Sequence, residues 1–357
     1  MSSMTGEKLK LSIFGESHGE AIGCVIDGLP AGAKLDMDEI NAELARRAPG
    51  NQAGATARRE KDAPHIVSGV LNGVTTGAPL AMLIENTNTK SGDYENIALV
   101  PRPSHSDYPA YVKYGGCNDI RGGGHFSGRL TAPLVFAGAV AKQLLAQKGI
   151  TVGAHIKRIG AVSDSSFDFN AVTKEQLERL TDGRFPVLDV DKEAAMRAEI
   201  AQYQAQQNSV GGEIECAAVG LPAGLGGNLF DTVESRLSAL LFAVPAVKGV
   251  QFGLGFDFAA ANAQTVNDGY TVKDGKVALL SNNNGGVLGG LTSGAPLVLS
   301  VAIKPTPSIA APQPSVNLQT MENETLVIHG RHDACIVPRA VPVIEAAVAI
   351  GLLDMLL

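Results

Sequence analysis

The chain has 357 residues, of which 45% are apolar and only 18% charged, with a formal charge of −7. That apolar share is enough to bury a sizeable core, as one large domain or two ordinary ones. The acidic balance excludes a nucleic-acid surface, so any phosphate binding is local, through a few arginines, and the expected substrate is a small molecule.

Residues 9–14 alternate as a strand does and run into Phe14-Gly15-Glu16-Ser17-His18-Gly19. An acid, a hydroxyl and an imidazole therefore stand at a strand end, where loops carry chemistry on a rigid base. Next comes an apolar strand ending in Cys24-Val25-Ile26-Asp27-Gly28-Leu29-Pro30-Ala31-Gly32. A helix is expected after it, capped by Asp36 with Glu39 three residues on, facing Met37, Ile40 and Leu44 inward and closed by Pro49. Residues 66–71 and 81–85 read as a hairpin about Asn72-Gly73. A second polar island, Arg102-Pro103-Ser104-His105-Ser106-Asp107, follows.

Arg121-Gly122-Gly123-Gly124-His125-Phe126-Ser127-Gly128-Arg129 then precedes a long helix over 130–147. Glycines before a helix present backbone N–H groups to an anion, although the run is neither a Walker loop nor a dinucleotide fingerprint. A strand over 151–159 leads to a helical insertion, about 163–208, whose helix at 192–207 reads as amphipathic and solvated. Strand 213–219 ends in Cys216-Ala217-Ala218-Val219-Gly220-Leu221-Pro222-Ala223-Gly224, which repeats the earlier cysteine and Gly-Leu-Pro-Ala-Gly turn 192 positions on. A helix over 230–244, Pro245, and strands at 250–256 and 297–304 complete this second half.

Between those strands, Asn282 to Gly290 forms another glycine loop; Lys304-Pro305-Thr306-Pro307-Ser308 supplies a cation and hydroxyls suited to a phosphate tail. The third polar island is Gly330-Arg331-His332-Asp333. Residues 340–357 resemble a membrane span, but Glu345 and Asp354 interrupt them, so a terminal helix in the core or a subunit interface is expected. Strands in hairpin pairs with helices between groups predict an α+β fold, antiparallel sheets packed on helices. We read one domain over 1–357, with related halves at about 9–160 and 210–357 around the insertion.

Cys24, Cys117, Cys216 and Cys335 lack metal-ligand spacing and read as buried thiols; no metal site is expected. The N-terminus lacks a secretory pattern, which makes a reducing cytoplasm the expected compartment. His65, His155 and His329 sit in apolar alternating runs and read as structural or solvated. Asp107 and His332 are set aside as packing or orienting groups.

The islands, together with Ala246-Val247-Lys248-Gly249-Val250, Gly285-Gly286-Val287-Leu288-Gly289-Gly290 and Arg339-Ala340-Val341-Pro342, occur in the order seen in the chorismate synthase family, which the chain resembles over nearly its whole length. The resemblance implies a helix layer held between antiparallel sheets, a homotetramer, and reduced FMN as cofactor. It implies a lyase that converts 5-enolpyruvylshikimate 3-phosphate to chorismate by 1,4-anti elimination of phosphate, in the shikimate pathway. By position it makes His18 the general acid for the departing phosphate and puts His105 by the flavin pyrimidine edge. Asp333, relayed through Ser17, would assist removal of the substrate proton.

Arg47, Arg102 and Arg129 would grip the substrate, and Arg331 would lie between substrate and cofactor. FMN contacts would come from His125, Phe126, Ser127, Pro245, Ala246, Gly289, Lys304, Pro305, Thr306, Pro307 and Ser308. After the triple glycine many members read Arg-Ser-Ser-Ala-Arg-Glu-Thr where this chain has His125-Phe126-Ser127-Gly128-Arg129-Leu130-Thr131, and Ala53 stands where arginine is frequent. The altered loop keeps open a rival reading, a flavin-binding protein without lyase activity. A flavin reductase using NAD(P)H is a third, for which the chain carries no nicotinamide fingerprint.

Overall fold

The computed structural model describes residues 3–50, 62–87, 99–183, 185–328 and 333–357. Among them, one five-stranded sheet holds Met4–Thr5 (β1), Lys10–Gly15 (β2), Ala21–Asp27 (β3), His65–Ser68 (β4) and Leu80–Glu85 (β5), in the order β1-β2-β3-β5-β4. The other holds Thr151–Ile159 (β6), Val162–Ser163 (β7), Gly212–Val219 (β8), Val247–Phe252 (β9) and Leu297–Ile303 (β10), in the order β9-β10-β8-β6-β7. Every pairing in both is antiparallel. The principal helices are Met37–Arg47 (α1), Asp107–Tyr114 (α2), Thr131–Ala146 (α3), Lys174–Thr181 (α4), Val190–Ala205 (α5), Val233–Ala243 (α6) and Val337–Leu356 (α7).

Helices α3 and α7 are apolar on nearly every face, which only a fully surrounded helix tolerates. They cross each other in the middle of the molecule: α3 meets β2, β3 and β5 of the first sheet, while α7 meets β6 and β8 of the second. With α1 and α6 alongside, they form the layer between the sheets, an α+β arrangement. At the crossing an added Cβ on Gly138 would collide with Ala346, so the backbones approach as closely as glycine permits.

The repeated pentapeptide does the same structural work twice. Thr75 Oγ1 donates to Pro30 O at 2.7 Å and accepts from Ala33 N–H at 2.9 Å; Thr292 Oγ1 donates to Pro222 O at 2.6 Å and accepts from Leu225 N–H at 2.9 Å. Cys24 and Cys216 are both fully buried behind these turns.

Several expectations need correction. The strand expected over 66–71 breaks at Gly69, whose φ is +84°, so β4 pairs with β5 while Val70–Leu71 and Val74–Thr75 form their own small ladder about Asn72-Gly73. The strand expected over 250–256 starts earlier and stops at Phe252, because Gly255–Ala260 winds into a 3-10 turn. Helix α4, unanticipated within the insertion, buries Leu177 and Leu180 against Phe167, Val172, Ala217 and Val298. Cys117 is exposed, not buried, because it follows the Gly115-Gly116 turn that ends α2.

No helix among the described residues is long and apolar enough to cross a membrane. The two acids of α7 serve the core instead. Asp354 accepts the N–H groups of Glu7, Lys8 and Leu9 at 2.7–3.1 Å and pairs with Arg236 at 2.6 Å, pinning the start of β2. Glu345 meets Arg46 and Lys142 inside the helix layer.

His155 proves to be the centre of a buried charge cluster that ties the insertion to the second sheet. Its Nδ1 lies 3.2 Å from Asp164 Oδ2 and its Nε2 3.1 Å from Glu215 Oε2, with Lys157 Nζ 3.0 Å from Glu215 Oε1. Facing a carboxylate at each nitrogen, the ring donates from both and is an imidazolium. Burial opposes that charge, but the bonds to Asp164 and Glu215 outweigh it and raise the His155 pKa above its ordinary 6.5. The same bonds outweigh burial at the two carboxyls and lower theirs.

A raised histidine contributes its full stability below 6.5 and loses it as pH rises through the folded value. The depressed acids contribute above their ordinary 3.8 and 4.5 and lose that on acidification. Resistance to urea unfolding is therefore expected to fall as pH climbs above 6.5 in the parent protein, and to lose most of that dependence in His155→Gln.

Candidate active site

Strand β2 delivers Ser17 and His18 at its end, in a loop held from three sides. Gly19 N–H donates to Glu16 O at 3.1 Å, Asn86 Nδ2 donates to Glu16 O and Gly19 O at 3.0 and 2.9 Å, and Ser17 N–H donates to Gly124 O at 3.2 Å. Both side chains are buried, Ser17 at 8% and His18 at 6% exposure. Gly122 and Gly123, with φ of +61° and +87°, follow each other beside this loop, and Gly122 lies against both side chains. A Cβ on Gly122 would overlap the His18 ring and the Ser17 hydroxyl. One on Gly123 would stand 3.4 Å from His105 Nε2 and 3.7 Å from Arg102 Nη2. Two consecutive glycines thus bring the first and second polar islands together, and only glycine admits both the left-handed backbone and the contact.

Around His105 the 102–107 segment folds back on itself. Asp107 Oδ1 is 2.6 Å from His105 Nδ1, and the carboxylate accepts from Arg102 Nε at 2.7 Å and Arg102 Nη2 at 2.8 Å. Burial works against the Asp107 charge, but the Arg102 bonds and then the His105 bond outweigh it and hold the carboxyl far below its usual range. Arg102 Nη1 also reaches Ser308 Oγ at 3.3 Å, and Lys304 Nζ donates to Ser104 O. Lys304 N–H in turn donates to Ala246 O at 2.9 Å, so the Pro245-Ala246 bend and residues 304–308 border the same cluster. Burial, and then the like charge of Lys248, lower the Lys304 pKa.

Behind the His18 loop runs a chain of buried charges. Asp62, 9% exposed, accepts from Arg47 Nη1 at 2.8 Å and from Arg129 Nη1. Arg129 Nε donates to Asn86 Oδ1 at 3.1 Å, the same amide that holds the loop of Ser17 and His18. On the other side Arg339 Nε donates to Arg47 O at 3.1 Å and its Nη1 pairs with Asp333. Asp333, Arg47, Arg129 and His18 are in this way joined through Arg339, Asp62 and Asn86.

Other sequence-selected positions are placed differently. His125 spends both ring nitrogens within the chain, Nδ1 donating to Gly15 O at 2.8 Å and Nε2 lying 3.0 Å from Ser3 Oγ. Phe126 is 39% exposed beside Tyr114, and Ser127 Oγ accepts from Arg129 N–H. Gly289 occupies, with Gly290, the two-residue turn between Val287–Leu288 and Leu291–Thr292, a hairpin bonded to Leu225, Gly226 and Val233. A Cβ there would meet open space. Arg331, with Gly330, His329 and His332, lies outside the described residues, as do Ala53, Arg58 and Arg59.

Among 304–308, the Thr306 hydroxyl oxygen is buried without a hydrogen-bond partner, although its own carbonyl accepts from Ser209 Oγ at 2.7 Å. A buried hydroxyl of this kind fits a segment that receives a polar ligand atom, since leaving it unmade costs free energy. The phosphate tail and polar ring edge of FMN match this donor set of Lys304, Thr306 and Ser308.

Sequence reasoning missed an acid and an amide that hold the basic groups, Asp62 and Asn86, and set Asp107 aside as a packing or orienting group. Asp107 stood two places from His105 and was readable from that spacing; Asp62 and Asn86 find their arginines only through the fold. Among the described residues no cluster of histidines, cysteines and acids is arranged to hold a metal.

A family model described as chorismate synthase matches residues 9–357. A chorismate synthase of Thermococcus gammatolerans is 49% identical over 354 residues, covering 99% of this chain and 97% of that one. One of Dehalococcoides mccartyi is 44% identical over 357 residues, covering 100% of this chain and 97% of that one. A solved crystal structure of chorismate synthase has a TM-score of 0.78 at 30% identity, covering 99% of this chain and 92% of that chain. With its motifs in order and its whole length matched, the chain belongs to the chorismate synthase family of enzymes.

Proposed function

We propose that this enzyme expels phosphate from 5-enolpyruvylshikimate 3-phosphate by 1,4-anti elimination to give chorismate, with reduced FMN as its cofactor. Family membership already carries the coarser part, a lyase of chorismate formation. The finer reading rests on one observation: Gly122 and Gly123 lie against Ser17 and His18 on one residue and against His105 and Arg102 on the next, with the Arg47-Asp62-Arg129 chain behind.

Residues 304–308 with Pro245 and Ala246 would hold the flavin, Lys304 and the Thr306 and Ser308 hydroxyls taking its polar atoms. Bound there, reduced FMN supplies electron density to the allylic system and recovers it, so the cycle has no net redox change. Arg47, Arg102 and Arg129 would hold the substrate anions by charge-assisted N–H donation. His18 would donate a proton to the departing phosphate oxygen, and Ser17 with Asp333 would carry away the ring proton. Burial of Ser17 and His18 excludes water from that exchange. We also propose a homotetramer working in the cytoplasm.

The test is anaerobic turnover with chemically reduced FMN, following phosphate and chorismate together. Stoichiometric release with reduced FMN, and none with oxidised FMN, is the expected result; no release under reducing conditions refutes the reading. One observation favours the rival, a flavin binder without elimination: the His125 ring is already satisfied inside the chain. Flavin affinity without turnover would identify it.

A further inference from the structure

We infer that Asp107 is the positioning residue for His105 and Arg102, fixing the imidazole hydrogen on Nδ1 and turning Nε2 toward the Gly123 side of the site. The inference rests on the proposed use of His105 beside the cofactor. Asp107 is the first residue of α2, where an acid is favoured by the helix dipole alone. Its carboxylate, however, points back along the chain. Oδ1 meets His105 Nδ1 at 2.6 Å and Arg102 Nη2 at 2.8 Å; Oδ2 meets Arg102 Nε at 2.7 Å and Arg102 N–H at 3.0 Å.

An ionised carboxylate accepts only, so the hydrogen between it and Nδ1 belongs to the ring. Arg102 Nη2, 3.1 Å from the same nitrogen, is also a donor and cannot compete for that position. Proton exchange is left to Nε2, which stands 3.4 Å from where a Cβ on Gly123 would lie. The fork of Arg102 is likewise committed through Nε and Nη2, leaving Nη1 to reach Ser308 Oγ. One carboxylate therefore leaves each of these two basic side chains a single outward face. The charged groups about the ring are Asp107, Arg102 and, through the neighbouring Ser104 carbonyl, Lys304; Ser106 Oγ lies 3.4 Å from Nδ1.

Nitrogen-15 NMR of the histidine rings in ligand-free protein reads this directly, without turnover. In the parent protein the neutral His105 ring carries its hydrogen on Nδ1; a hydrogen on Nε2 would overturn the inference even if no variant folded. In Asp107→Asn the amide can donate to Nδ1, so the hydrogen moves to Nε2. Turnover with reduced FMN falls about 10²-fold, with KM changing much less. Added to His105→Ala, the same substitution costs no more than about a further twofold. An unchanged His105 tautomer in Asp107→Asn, or losses that multiply in the double variant, would refute the role. If the parent itself releases no phosphate, the lyase reading fails while the NMR result still decides the Asp107–His105 link.

Discussion

Alanine at His18 lowers phosphate release by about 10²- to 10⁴-fold while flavin affinity changes by less than about threefold; alanine at Lys304 weakens flavin binding first. The contrast follows from where the two side chains sit. The His18 ring is buried against Gly122, beside Ser17 and on the loop clamped by Asn86, so removing it takes away the proposed proton donor while leaving the backbone that frames the site. Lys304 belongs to a different wall. Its backbone is fixed to Ala246 and its ammonium to the Ser104 carbonyl, next to the partnerless Thr306 hydroxyl and to Ser308. Fluorescence titration of reduced and oxidised FMN against each variant, alongside anaerobic turnover, separates the two. Equal losses of affinity and rate in both variants would mean that these walls do not divide the labour in this way.

How much of this was readable before any coordinates depends on the range of the interaction. Helix α1 announced itself locally: Asp36 accepts from the Asp38 and Glu39 N–H groups as its spacing implied, and Ile40 and Leu44 are buried. The Gly-Leu-Pro-Ala-Gly turns were legible because a turn's chemistry is written in adjacent residues, and Thr75 and Thr292 complete both turns alike. Helices α3 and α7 stood out as long, predominantly apolar runs.

What stayed hidden is what tertiary contact decides. Arg46 and Arg47 are neighbours in sequence, yet one enters the core to meet Glu345 and the other turns to Asp62. No pattern within α1 separates a structural arginine from one placed beside the site. Nor does any local signal say that Asn86, at the end of β5, will hold both the His18 loop and Arg129. His155 was read as structural or solvated; it is fully buried, and its alternating run gave no hint of the acids 9 and 60 positions away that make it a cation.

The largest loss of stability is expected from Glu345→Ala. Glu345 is fully buried on α7 and accepts from Arg46 Nη1 and Nη2 at 2.7 and 2.9 Å, from Lys142 Nζ, and from the Ala154 N–H at 3.1 Å. It thereby binds α1, α3 and β6 to the last helix through one carboxylate. Removing it leaves a guanidinium and an ammonium in the helix layer with only Glu43, 2.7 Å from Arg46 and 2.8 Å from Lys142, to share. Breaking one partner of a buried pair costs about 3–5 kcal/mol, because the stranded charge keeps its desolvation penalty. A replacement of the whole set by apolar residues of like volume need not cost as much, so the expected loss measures stranded charge and not the worth of the ion pair. Burial raises the Glu345 pKa, but the charges of Arg46 and Lys142 outweigh it and pull the carboxyl down to about 2. A depressed acid stabilises the fold above its ordinary 4.5 and gives that up as pH falls toward 2, so the parent protein should weaken across this interval and Glu345→Ala should do so less. Urea melts of both proteins at neutral pH and along the acid limb would show it; a variant as stable as the parent at neutral pH would mean that water or local rearrangement already relieves the two cations.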